Sequence, residues 1–145
     1  MTGQLPQFSM TAQPLQRVIE ESNKHGSSVI VMIETGQSLK NADEISQVEG
    51  VDVLLVGSND LCIDLGIPGQ FETAQFRSAL ETVSQACKKH DKIFGIAGIY
   101  EGSETLDWAV KSLDVGFLLG QYDASIIFKG FKQSAESMKK FSIGL

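Results

Sequence analysis

Basic charge is in short supply in this chain. Twelve Lys and Arg stand against 18 Asp and Glu, a formal charge of −6 at neutral pH. No basic stripe interleaved with aromatics offsets that balance, so nucleic acid is excluded as the expected partner. Cysteine is nearly missing. Cys62 and Cys87 are the two in the sequence, too few and too far apart for a disulfide framework or a zinc site. Reduced thiols and a cytoplasmic location are expected. Long apolar runs are missing too: the longest is about a quarter of what a membrane span needs. Residues 1–6 carry neither the basic nor the apolar region of a signal peptide, and no membrane partner is expected. Histidine is limited to His25 and His90. Both fall at expected helix C-termini, where they read as caps favoured by the helix dipole rather than as catalytic groups.

What is present is a rhythm. Short apolar runs alternate with amphipathic stretches over a length suited to one domain, residues 1–145. Residues 1–12 read as an irregular lead-in, and 13–145 as one α/β unit. A helix is expected over 14–25, opened by Pro14 and closed by Gly26. A strand follows at 28–33, then a short helix at 38–47 with Leu39, Ala42 and Ile45 on one face. The second strand is 51–56. Gly57, Ser58, Asn59 and Asp60 read as a loop, with Asn59 or Asp60 capping a short turn through Leu65. Phe76, Leu80, Val83 and Cys87 form the inward stripe of a helix over 72–90. A third strand occupies 93–96. Ser103 caps a helix bearing Leu106, Ala109, Val110 and Leu113. A fourth strand spans 115–119. A last helix, 124–141, is expected to turn Ile127, Phe131, Met138 and Phe141 inward, and Trp108 and the helically spaced Phe residues are expected in the core. A leading helix and four βα units imply parallel strands joined by right-handed crossovers, a small open sheet or half of an eight-stranded barrel.

Two carboxylates stand out against that rhythm. Glu34 follows the first strand, and Asp60 lies just past the second. The carboxyl ends of parallel strands are where α/β folds hold ligands. Two acids there can seat a hard divalent cation, although each can also be a helix N-terminal carboxylate. Cys62 is close by, but nothing in the sequence activates its thiol. Tyr100 and Glu101 follow the third strand as weak acid–base candidates.

The residues also stand in a specific order: Ile33-Glu34-Thr35, Asn41 to Ile45, Val48-Glu49-Gly50-Val51-Asp52, Val56-Gly57-Ser58-Asn59-Asp60-Leu61, Leu65-Gly66 and Pro68-Gly69. With Lys92 to Ile96 and Phe117 to Gly120, this series resembles the C-terminal half of the HpcH/HpaI aldolase family, whose relatives include citrate lyase β-subunits. The resemblance spans about residues 15–141. It implies four βα units of a TIM (β/α)8 barrel. It also implies a metal-dependent carbon–carbon lyase that cleaves 4-hydroxy-2-oxo acids to pyruvate and an aldehyde, or decarboxylates oxaloacetate. Glu34 and Asp60 match the family's metal ligands, for Mg²⁺, Mn²⁺ or Co²⁺. Gly57, Ser58, Asn59 and Asp60 match the loop whose N–H groups hold the keto-acid carboxylate.

The sequence also departs from that pattern. The histidine and arginine that the family's first half supplies have no counterpart in these four units, and no catalytic acid or base is assigned. Met32 replaces the usual Gln, Ser58 the usual Pro, and Asp123 is one residue out of step with a family aspartate. The alternative reading is therefore a catalytically reduced binding or assembly module. Either reading leaves open strand edges. A homo-oligomer or a complementary N-terminal half is the expected protein partner, beside a small 2-oxo acid.

Overall fold

A computed structural model describes residues 2–3, 13–100, 103–139 and 141. Thr2–Gly3 (β1) pairs antiparallel with Gln13–Pro14 (β2), a short ribbon where an irregular lead-in was expected. Helix α1, Leu15–Glu21, runs on into a π-helical turn at Ser22–Gly26. Then come β3 (Ile30–Ile33), α2 (Gly36–Lys40), α3 (Ala42–Ser46), β4 (Val53–Gly57) and α4 (Ser58–Asp64). The long α5 (Ala74–Lys89) leads to β5 (Ile93–Ala97), α6 (Glu104–Ser112), β6 (Val115–Leu118) and α7 (Asp123–Lys139). The strands β3, β4, β5 and β6 form one sheet in chain order, and every neighbouring pair is parallel. These are four consecutive βα units of a TIM-barrel type, as expected.

The sheet has two unlike faces because side chains alternate along each strand. Ile33, Leu54, Val56, Phe94 and Ile96 point to the helices and join Phe76, Leu80, Val83 and Ala109 in one buried core. The stripe expected on α5 is buried to its last member, Cys87. Thr73 caps that helix by accepting the Phe76 N–H. Its far end closes with Asp91 in the left-handed region (φ 54°) and the Lys92 N–H bonded back to the Cys87 carbonyl, a Schellman-type stop with Asp in the usual glycine place. Ser103 caps α6 as expected, accepting the Leu106 N–H.

On the opposite face the register aligns Met32, Leu55, Gly95 and Phe117 in one row. Leu55 and Phe117 converge over Gly95, where an added Cβ would lie 3.0 Å from Leu55 Cδ1 and 3.2 Å from Phe117 Cδ1. Toward β3 this face is open, with Met32 exposed. Central strand β4 is buried throughout, but the edge strand β3 leaves Ile30 and Met32 exposed, so it is a half-covered strand rather than a wholly buried one.

Several expectations are corrected. The single helix over 38–47 is two short helices, α2 and α3, broken at Asn41, although Leu39, Ala42 and Ile45 still face the core. Gly57, Ser58, Asn59 and Asp60 are not a loop. Gly57 ends β4 and the other three begin α4, with no side-chain cap. Helix α7 forms, but Ile127, Phe131, Met138 and Phe141 are 56–77% exposed instead of inward, and no α7 residue is buried. Its apolar side is left exposed among the described residues. Phe128 is likewise exposed, Trp108 is only partly buried, and α1 also buries no residue. Among the described residues no helix is long and apolar enough to cross a membrane.

Candidate functional site

Ile33 pairs with Val56, so the next step of the register sets Glu34 beside Gly57. A Cβ on Gly57 would lie 2.6 Å from Glu34 Oε1 and 2.7 Å from Glu34 Cγ. The Glu34 side chain therefore crosses the carboxyl end of β4, through space that any other residue at 57 would fill. Gly57 leads directly into α4, whose first turn carries Ser58, Asn59 and Asp60. Glu34 is partly buried and Asp60 exposed. Ser58 is fully buried, and its hydroxyl has no hydrogen-bond partner among the described residues.

The turn after Glu34 is tightly organised. Thr35 and Ser38 form a capping box at the start of α2. The Ser38 hydroxyl also accepts the N–H groups of Glu34 (3.2 Å) and Thr35 (3.1 Å). From α4, Asp64 Oδ2 accepts the Gly36 N–H at 2.6 Å.

The loop after β5 closes over the same end of the sheet. Asn59 Nδ2 donates to the Gly98 carbonyl at 3.4 Å. Gly98 has φ +85°, and a Cβ there would lie 2.8 Å from Asn59 Nδ2, so both conformation and space call for glycine. The start of α6 is held by Glu72, which accepts from the hydroxyls of Ser103 (2.8 Å) and Thr105 (2.6 Å) and from the Thr105 N–H (2.9 Å). These bonds, the Thr105 hydroxyl first, hold the Glu72 carboxyl below its ordinary range. Arg77 reaches the same carboxylate and lies 5.3 Å over the Trp108 ring. Between this loop and the end of β6 is a cavity of about 190 Å³ lined by Ile99, Tyr100, Leu106, Leu118 and Leu119.

An all-oxygen pair of carboxylates suits a hard divalent cation, and the cleared space over Gly57 gives the Glu34 oxygens a defined place. Among the described residues no group of three or more His, Cys, Asp or Glu is disposed to hold a metal. A cation at this pair would draw its further oxygen ligands from water or substrate.

The other candidates separate from this end. His90 is the C-cap of α5, at the opposite end of the strands, and its Nε2 lies 2.9 Å from Asp43 Oδ1. His25 belongs to the turn after α1. Tyr100 is exposed at the cavity, and Glu101 lies outside the described residues. Asp123 Oδ1 accepts the Ala124 N–H at the start of its own helix, 2.7 Å away. Cys62 and Cys87 are free and buried. Burial raises both thiols, Cys87 to about 11, which removes them as nucleophiles near neutral pH. Sequence reasoning missed Gly98, Asp64 and Glu72. A glycine just past a strand was the one available signal. The partners of the two acids lie too far along the chain to leave one.

Comparison with known proteins shows what the chain as a whole is similar to. A family model described as HpcH/HpaI aldolase/citrate lyase matches residues 9–123. A 4-hydroxy-4-methyl-2-oxoglutarate aldolase of Chaetomium globosum is 46% identical over 140 residues, covering 97% of this chain and 52% of the relative. One from Hapsidospora irregularis is 43% identical over 143 residues, covering 99% and 53%. The crystal structure of an HpcH/HpaI aldolase from Desulfitobacterium hafniense superposes with a TM-score of 0.72 at 25% identity, covering 90% of this chain and 48% of that one. The chain thus spans about half the length of the curated relatives it matches.

Proposed function

The chain belongs to the HpcH/HpaI aldolase/citrate lyase family, and we propose that it supplies the metal-binding half of a metal-dependent lyase acting on small 2-oxo acids. The observation that carries this reading is the Glu34 side chain lying across Gly57, at the foot of the helix that bears Asp60. Glu34 and Asp60 are the proposed ligands of Mg²⁺ or Mn²⁺, with Co²⁺ as a further oxygen-ligated choice. When bound, the cation supplies Lewis acidity for the negative charge that develops as the carbon–carbon bond breaks. The residues from Gly57 through Asp60 orient the substrate, whose carboxylate meets N–H groups of the first turn of α4, before the i→i−4 ladder begins. Asn59 is steadied there by Gly98.

The relatives' named substrate, 4-hydroxy-4-methyl-2-oxoglutarate, is the proposed aldol substrate, and oxaloacetate the simpler one. Decarboxylation asks less of the chain, because no hydroxyl proton must be removed by a positioned base. No described residue beside Glu34 and Asp60 is assigned that role. A second half-barrel, either a complementary N-terminal chain or another copy, is the proposed source. The uncovered sheet face at Ile30 and Met32, the edge strands β3 and β6, and the bare apolar side of α7 support association. The free buried cysteines are compatible with the cytoplasm as its place.

The test is pyruvate release from oxaloacetate with and without Mn²⁺, after subtraction of the free-metal reaction, for the chain and its Asp60→Asn variant. Metal-dependent release lost in the variant supports a lyase. Unchanged release in Asp60→Asn refutes the assigned site. The second reading, a reduced binding module, is favoured by Met32, an apolar thioether exposed on the uncovered face. It expects Mn²⁺ or 2-oxo acid binding without turnover.

A further inference from the structure

The two proposed ligands sit on different elements, and a third acid ties those elements together. Glu34 begins the turn between β3 and α2, while Asp60 rides on α4. The turn's own hydrogen bonds, through Thr35 and Ser38, fix its shape but not its place. Its place is set at two points. At one end the Glu34 side chain rests over Gly57, just before α4. At the other, the Gly36 N–H is bonded at 2.6 Å to Asp64, the last residue of α4. A Cβ on Gly36 would lie 3.4 Å from Asp64 Oδ2 and 3.7 Å from Leu65 Cδ2, so turn and helix end are in close contact. Asp60 and Asp64 are four apart, hence on one face of α4. The face that carries the second ligand also grips the turn that carries the first.

We propose that Asp64 is a positioning residue: by accepting the Gly36 N–H it holds the turn along α4 and keeps the Glu34 carboxylate over Gly57, at the end of the helix that presents Asp60. The proposal rests on the reading of Glu34 and Asp60 as the metal pair. Asp64 is given no ligand role here: its Oδ2 accepts the backbone N–H of the turn. The charge is not what the role requires. An acceptor oxygen at this spot is.

The test is Mn²⁺ affinity of the full chain, read by the loss of the free-ion electron paramagnetic resonance signal. Asp64→Ala removes the acceptor and is expected to weaken binding about tenfold, the low end for groups that orient metal ligands. Asp64→Asn retains an acceptor oxygen and is expected to stay within about threefold of the original. Gly36→Pro removes the donor instead. Proline suits the first helical position, and the extended Thr35 (φ −134°, ψ 155°) suits the residue before it. Gly36→Pro should weaken binding at least as much as Asp64→Ala, because its ring both removes the donor and crowds Asp64 Oδ2, and combining it with Asp64→Ala should add little to the loss from Asp64→Ala alone. Should Asp64→Ala not fold, Gly36→Pro against Asp64→Asn decides the same question.

Asp64→Ala binding as tightly as the original overturns the proposal while leaving the metal pair standing. Equal weakening by Asn and Ala also overturns it, since charge rather than the hydrogen bond would then be at work. Absence of Mn²⁺ binding by the unsubstituted chain defeats the metal pair and this proposal together.

Discussion

Glu34 and Gly57 occupy one another's space: the Glu34 Oε1 atom lies 2.6 Å from where a Gly57 Cβ would stand. Gly57→Ala must therefore displace the glutamate or shift a buried strand. Such overpacking costs about 1–3 kcal/mol. The expected outcome is a lower urea midpoint together with weaker Mn²⁺ binding, measured on the same preparation. Unaltered Mn²⁺ affinity in a folded Gly57→Ala chain would show that the position of Glu34 is irrelevant to the cation.

The core makes a separate prediction. Leu80 is fully buried on α5, whereas Val110 on α6 is 45% exposed. Leu80→Ala should cost about 2–5 kcal/mol through lost burial and a residual cavity. Val110→Ala should stay within about 0.5 kcal/mol. Paired urea titrations check the contrast.

Acid should weaken the chain through two carboxylates at opposite ends of α5. Asp43 is held below its ordinary 3.8, first by the Lys89 hydrogen bond and then by His90. Glu72 is held below 4.5, first by the Thr105 hydroxyl. A group whose folded pKa is depressed contributes stability above its unfolded value and loses it as pH falls through the lower, folded one. The contribution of this pair is thus full above about pH 4.5 and declines below it. Glu72→Gln and Asp43→Asn should each flatten the fall in melting temperature on the acid side. Both groups are solvent-accessible, so added salt should shrink the Asp43 effect in particular. A melting curve against pH at two salt concentrations provides the measurement.

Neither cysteine should react with an aromatic disulfide reagent near neutral pH while the chain is folded, because both are buried and burial raises their pKa values. Two equivalents should react in urea. Fast native labelling of Cys87 would contradict the placement of α5 against β5.

Much of the sheet was legible in the sequence because a parallel strand buried on both faces needs a short apolar run, and Val53 to Val56 is one. The α5 stripe was legible for the same reason at helical period. The apolar side of α7 was legible as a pattern, yet its direction was not: periodicity tells which residues share a face, never what covers it. Ile127 and Phe131 stay exposed among the described residues. Glu34 and Asp60 were found through their order along the sequence. Their geometry was hidden, since the meeting of Glu34 with Gly57 depends on the Ile33–Val56 register. The bond from Asp64 to Gly36 spans 28 residues and has no local signature at all.

The uneven covering of the sheet also orders its events in time. Strand β4 is buried along its length and flanked by neighbours on both sides, while among the described residues β3 and β6 each have one neighbour and half their positions exposed. Amide protons survive longest where opening requires the whole domain to give way, and they exchange first where a margin can fray. In deuterated solvent the amides of Val53–Gly57 will be the last to disappear, with Ile30–Ile33 and Val115–Leu118 going earlier. The slowest clock in the molecule therefore ticks in the strand that ends under Glu34.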